Sequence, residues 1–205
     1  MLSVWVLALV LSISGSTREI AAQKGSFQNN LDIRQYYSTN ETSWTYNTTK
    51  RTVYRCVRDT TYSITDENVT YIRHSLQYNS SVTANLTGKF IHESEHLKAR
   101  ARQSGGLYRS MNVFEDGELW WNETLEYMSA NGDCGVFTVM VPRSRNRARV
   151  SHDLRLKDSA VGSTPDQECR NKFNSLRGNS TVTTLYTSVC KEKIRRSTNV
   201  VSRVK

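Results

Sequence analysis

The sequence predicts an all-β chain, an antiparallel sheet folded into a sandwich or closed into a barrel. Three observations carry this. From Arg51 onward, short segments rich in Val, Thr, Tyr and Phe alternate apolar and polar residues with a period of two. Only two prolines interrupt the 205 residues. Turn dipeptides at Gly105-Gly106, Asp116-Gly117 and Asn131-Gly132-Asp133 separate the segments. Closing the sheet removes the exposed edges that an open one carries.

Taken in order, the predicted strands are an early one near Asp32 to Tyr46, then Arg51 to Tyr62, Val69 to Tyr78, Leu107 to Phe114, Glu118 to Met128, Cys134 to Val141, Arg149 to Lys157 and Val182 to Cys190. An amphipathic stretch from Ser26 to Tyr37 predicts a short N-terminal helix running into the first strand. One stronger helix follows the last long strand. Thr164 is its expected N-cap, Pro165 its first position, Asp166 lies in its first turn and Gln167 is the capping-box partner. Cys169, Phe173 and Leu176 share one face and Gly178 ends it. Cys169 would then face inward and tie the helix to the sheet.

The apolar run Val4 to Leu11, followed by Ser12, Ser14, Gly15 and Ser16, reads as a secretory signal over residues 1–16, with cleavage as late as about residue 22. Residues 23–190 are then one domain and 191–205 a basic tail expected to lack structure. No later stretch approaches the roughly 20 apolar residues of a spanning helix, so the expected product is soluble and extracellular. Seven Asn-x-Ser/Thr sequons agree with export: Asn40, Asn47, Asn68, Asn79, Asn85, Asn122 and Asn179. Four cysteines, Cys56, Cys134, Cys169 and Cys190, predict two bridges in an oxidising compartment, with three pairings open.

A net charge of +9 fits a soluble surface first and contact with an anionic glycan or a host protein second; neither nucleic acid nor membrane is expected as a partner. His92-Glu93-Ser94-Glu95-His96 matches the spacing of a zinc-protease motif, but no third His follows in the extended position, so a solvated loop or strand edge is expected. Arg143, Arg145, Arg147 and Arg149 would share one face of an extended segment and suit sulfate or phosphate; a long solvated hairpin loop is the plainer reading. No nucleophile, base and orienter assemble elsewhere. Neither an enzyme nor a bound cofactor or metal is expected.

Several stretches together resemble one family: Glu115-Asp116-Gly117, Asp133-Cys134-Gly135-Val136-Phe137, Val141-Pro142, Cys169-Arg170-Asn171-Lys172-Phe173-Asn174, and Leu185-Tyr186-Thr187-Ser188-Val189-Cys190. They are similar to the tick salivary lipocalins, whose best-understood members are histamine-binding proteins. The resemblance implies an eight-stranded antiparallel lipocalin barrel with a C-terminal helix on its wall, and bridges Cys56 to Cys190 and Cys134 to Cys169.

It also implies a ligand. Amine-binding members carry an acid directly after the residue matching Cys134 and a Glu-Leu-aromatic triplet before the helix cysteine. Here Gly135 replaces the acid and the triplet reads Asp153-Leu154-Arg155, whose Asp and Arg share a strand face and would pair. Nearer the N-terminus, Glu41 stands three residues before Trp44, as in amine binders, with Tyr37 upstream. The expectation is a monomeric secreted scavenger that sequesters a small host inflammatory mediator. A biogenic amine such as histamine or serotonin ranks first, held by Tyr37, Glu41, Trp44, Phe137, Asp153 and Arg155. A lipid mediator (a leukotriene, fatty acid or sterol) is the alternative, with Gly135, Phe137 and Val139 as an apolar wall and Arg155 on an anionic head group. In the third reading the barrel is a scaffold whose arginine loop contacts a complement or immune-cell protein.

Overall fold

The computed structural model describes residues 31–78, 80–92, 107–142 and 148–201, with side chains to 196. In chain order the elements are α1 (Ile33–Tyr37), β1 (Ser43–Thr48), β2 (Tyr54–Ile64), β3 (Asn68–Gln77), β4 (Ser80–His92), β5 (Tyr108–Glu115), β6 (Glu118–Met128), β7 (Cys134–Val141), β8 (Arg149–Lys157), α2 (Gln167–Arg177), β9 (Thr183–Thr184) and α3 (Cys190–Val201). Strands β2 to β8 pair antiparallel with their sequence neighbours. β1 then pairs with both β8 and β2, which closes eight strands into a barrel.

Local chemistry explains the joints. Asp116 and Gly117 both adopt positive φ, 50° and 83°, and make the tight β5–β6 hairpin the dipeptide predicts. In β2, Cys56 has φ 52° and the register with β3 slips between Arg55 and Arg58, a bulge that turns the strand away from β1. Chain 183–186 enters the gap. β9 pairs with the end of β1, Leu185 N–H donates to the Tyr46 carbonyl, and Cys56 N–H donates to the Leu185 carbonyl. The Cys56–Cys190 bridge fixes this seam and Cys134–Cys169 fixes α2 to β7, the two pairings that the resemblance implied.

Two cores result, one on each side of the barrel wall. Leu154, Leu156, Val136 and Trp44 face outward and are covered by Cys169 and Phe173 of α2, by Tyr186 between β9 and α3, and by Ile194 of α3. Leu86, Met111, Val113, Leu125, Tyr71 and Phe137 face inward and meet Ile33, Tyr36 and Tyr37 of α1, which plugs one end. Asp32 caps α1 through Arg34 N–H.

Five points require correction. β4 was not foreseen. The cap of α2 is Asp166, whose carboxylate accepts from the Glu168 and Cys169 N–H groups; Thr164 lies before it because the residue ahead of Pro165 favours extended backbone. Val182 to Cys190 supplies only the two-residue β9 before the chain turns into α3. The basic tail is helical to Val201, anchored by Cys190 and the buried Ile194. The early strand begins only at Ser43, after α1.

Candidate ligand site in the barrel

Strand alternation decides which side chains enter the barrel. On β8, Asp153, Arg155 and Lys157 point in while Leu154 and Leu156 point out to α2. Opposite them, Trp121, Glu123 and Leu125 of β6 point in, as do Tyr71 and Arg73 of β3, Asp59 of β2 and Phe137 of β7.

The charged members are in contact. Arg155, 1% exposed, donates through Nη1 and Nη2 to the two Glu123 oxygens, both at 2.8 Å. Nη1 also donates to the Tyr37 hydroxyl at 3.0 Å and Nη2 to Asp153 Oδ2 at 3.0 Å, and the guanidinium lies 4.4 Å from the Phe137 ring centre. Glu123 further accepts from the Tyr37 hydroxyl and from Trp121 Nε1. Arg73 holds both Asp59 oxygens at 2.7 Å and lies 3.7 Å from Glu123. Thr48 Oγ1 donates to Asp153 Oδ1 at 2.6 Å. Toward the plugged end, Lys157 Nζ donates to the Tyr36 carbonyl at 2.5 Å, over the Tyr36 ring.

Burial of this kind is costly unless every charge is paired. Burial alone would raise the Glu123 carboxyl. The charge and hydrogen bonds of Arg155, with Arg73 and Trp121, instead hold it at about 2, so it is ionised at any physiological pH. Tyr37 and Tyr71 are pushed up, first by burial and then by Glu123, and stay neutral donors. Burial lowers Lys157 to about 8, against the opposing pull of Glu41, Asp59 and Asp133. The Tyr71 hydroxyl and Arg155 Nε are sealed from solvent without a partner.

Four of the six expected ligand residues therefore meet in the barrel: Tyr37, Phe137, Asp153 and Arg155, the last two as the expected strand-face pair. Two do not. Glu41 is exposed and accepts from Ser159 N–H, and hydrogen bonding by the Ser159 side chain, then by its backbone, holds the carboxyl below its usual value. Trp44 alternates with the inward Ser43 and Thr45, so its ring packs outside the wall, 5.0 Å from Tyr186, and its Nε1 donates to Asp158. Glu123, Arg73 and Asp59 were missed. Their signal was present, an acid or base on the inward register of an apolar strand face, Trp121-x-Glu123-x-Leu125 above all.

Gly135 is set by contact. A Cβ there would stand 2.7 Å from both Phe137 Cε2 and Tyr36 Cε2, so the Tyr36 ring occupies the room a side chain would need. Among the sequons, Asn40, Asn85 and Asn179 are exposed and Asn47, Asn68 and Asn122 half-buried; Asn79 lies outside the described residues. Outside them also lie Glu93 to His96 of the histidine motif, and Arg143, Arg145 and Arg147. His92 ends β4 with its ring against Tyr108.

No protein-family profile matches the chain, and no curated protein matches it by sequence. Solved structures do. The serotonin complex of AM182 aligns at TM-score 0.52 with 14% identity, over 76% of this chain and 91% of that one. H1 crustacyanin from the lobster Homarus americanus aligns at 0.55 with 8% identity, over 90% and 92%. The fold is the lipocalin barrel. Japanin from Rhipicephalus appendiculatus, bound to cholesterol, aligns at 0.50 with 8% identity, over 73% and 95%. At these identities the likeness is one of fold alone.

Proposed function

We propose that this lipocalin barrel is an exported binding protein that captures a small cationic amine, with Asp153 as the charge that receives it. The observation that carries the reading is the composition of the buried cluster. Three carboxylates, Asp59, Glu123 and Asp153, are in contact with two guanidiniums, Arg73 and Arg155. Within this contact network the carboxylates outnumber the guanidiniums by one, and the ammoniums of Lys50 and Lys157 act on Asp153 and Asp59 from outside it. Asp153 is the most exposed of the three acids, its side chain 13% accessible against 4% for Asp59 and 0% for Glu123, and it faces the end opposite α1. Trp121, half-buried on the neighbouring inward register, offers a ring face. The plugged half is filled by Tyr36, Tyr37, Tyr71 and Phe137, which favours a compact ligand over a sterol. Serotonin in the similar AM182 complex agrees with this class.

Calorimetric titration with histamine, serotonin and tyramine, beside arachidonate and a leukotriene, tests the reading. An amine should bind, and Asp153→Asn, which keeps an acceptor for Thr48, should weaken it at least about tenfold, the scale of one charge-assisted bond. Amine heat that is unchanged in Asp153→Asn, or lipid binding without amine binding, would refute it.

A further inference from the structure

Outside the barrel, a cleft of about 510 Å³ separates α2 from the ends of β1 and β8, within the roughly 300–1,000 Å³ of small-molecule sites. Its walls bring Tyr46 and Asn47 of β1 against Arg170 and Phe173 of α2, and its rim is the run Asn179-Ser180-Thr181. No carboxylate lines it. Arg177 donates to Asn174 and to the Ser180 carbonyl, and Arg170 Nη2 to Gln167. Two polar atoms are nevertheless sealed without partners, the Arg170 Nε donor and the Asn47 Oδ1 acceptor. A buried donor and a buried acceptor left unmade each cost about 1–3 kcal/mol. Both atoms are closed to solvent and are reached only by a local side-chain shift; an occupant that suits the cleft carries no positive charge and has an apolar face for Tyr46.

We infer that this cleft seats the chain's own N-linked glycan, attached at Asn179. A first N-acetylglucosamine is uncharged and has a C–H face for the Tyr46 ring, and its amide and hydroxyls reach Asn47 Oδ1 and Arg170 Nε only once those side chains turn toward the cleft. The three residues of the Asn179 sequon are themselves lining residues, and Asn179 is exposed. A tethered sugar needs little affinity of its own, since a short link holds it at an effective concentration on the order of millimolar. Asn47, also in a sequon, is half-buried in the wall of the same cleft and stays bare beneath that sugar. The attachment rests on export, as the proposed function does, but not on any ligand in the barrel.

The full chain, secreted from insect cells with its own leader, is mapped for site occupancy and digested natively with peptide N-glycanase. Asn179 should be occupied and Asn47 bare, and the Asn179 glycan should be released at least about tenfold more slowly than the one on Asn85, because release requires local opening. Asn179→Gln and Thr181→Ala remove the same glycan by different substitutions. Both should lower the melting temperature by about 2–4 °C or more, the scale of one lost interaction in a chain of this size. A bare Asn179 on an otherwise glycosylated chain overturns the inference, as does a glycan released as fast as that on Asn85 with both variants melting unchanged. Every sequon bare would overturn it through export. Inorganic sulfate bound by the bare chain and lost in Arg170→Ala would assign the cleft to a free anion instead.

Discussion

Lys157 makes the stability of this barrel pH-dependent in a direction opposite to that of most lysines. Its ammonium is 3% exposed, bonded to the Tyr36 carbonyl, and burial holds it at about 8 against an ordinary 10.5. Between these values the unfolded chain binds a proton that the folded chain does not, so stability rises with pH across the window. The full difference is about 3 kcal/mol, at about 1.4 kcal/mol per pH unit. Of this, about 2 kcal/mol falls between pH 7 and 9.5, which converts to a rise of about 4–8 °C in melting temperature. The scan stops at pH 9.5, before unfolded-state tyrosines, ordinarily near 10, begin to titrate against the raised Tyr36, Tyr37 and Tyr71. Lys50, lowered chiefly by burial, contributes with the same sign, so Lys157→Met is the necessary comparison: it should melt higher than the native chain at pH 7 and lose most of the slope. A native melting temperature that is flat or falls from pH 7 to 9.5, or an equal rise in Lys157→Met, would refute the buried-amine argument.

Glu123→Gln strips Arg155 of its main counter-charge and should destabilise the fold by about 3 kcal/mol or more in urea titrations. Acid should do the same reversibly. A carboxyl held at about 2 gives stability that is complete above an ordinary value near 4.5 and lost as pH falls toward 2, and the Gln variant should lack that part of the acid transition. Replacing Cys56 and Cys190 by Ala opens a loop spanning 134 residues and should cost about 4–5 kcal/mol by chain entropy, read from the denaturation midpoint of native and variant proteins. In the same variant, hydrogen exchange should accelerate first at the amides of positions 56 and 185, which close the seam between β1 and β2.

Which parts of this architecture were legible in advance follows from how each is held. β5, β6, β7 and β8 largely alternate, and glycine-containing turns join β5 to β6 and β6 to β7, so most of their inward and outward faces can be read directly. β4 hides because its inward face, Val82, Ala84, Leu86, Gly88 and Phe90, narrows to small residues where Met111 fills the room beside Gly88. α3 carries too little apolar periodicity to predict alone and is held by a bridge and one isoleucine, tertiary contacts that no local window contains. Trp44 misleads for a related reason: its spacing from Glu41 is a motif, but its side of the wall is fixed by the parity of β1. The Asp153–Arg155 pair was readable from parity, whereas Glu123 sits in the middle of a sequon, where the asparagine draws the eye from the acid between two apolar neighbours.

The contact between Gly135 and Tyr36 also limits which substitutions the barrel can accept. The position after Cys134 is closed by an aromatic ring from another part of the chain. A single codon change at 135 therefore meets a steric wall before it can alter ligand choice. Tyr36 must shrink first, at the expense of the plug and of its hydrogen bond to Ser43, so an acidic lining at 135 is reached only through a less stable intermediate. The plug in this sense gates position 135, and the buried charge of the barrel sits instead on Glu123, Asp153 and Arg155 of β6 and β8.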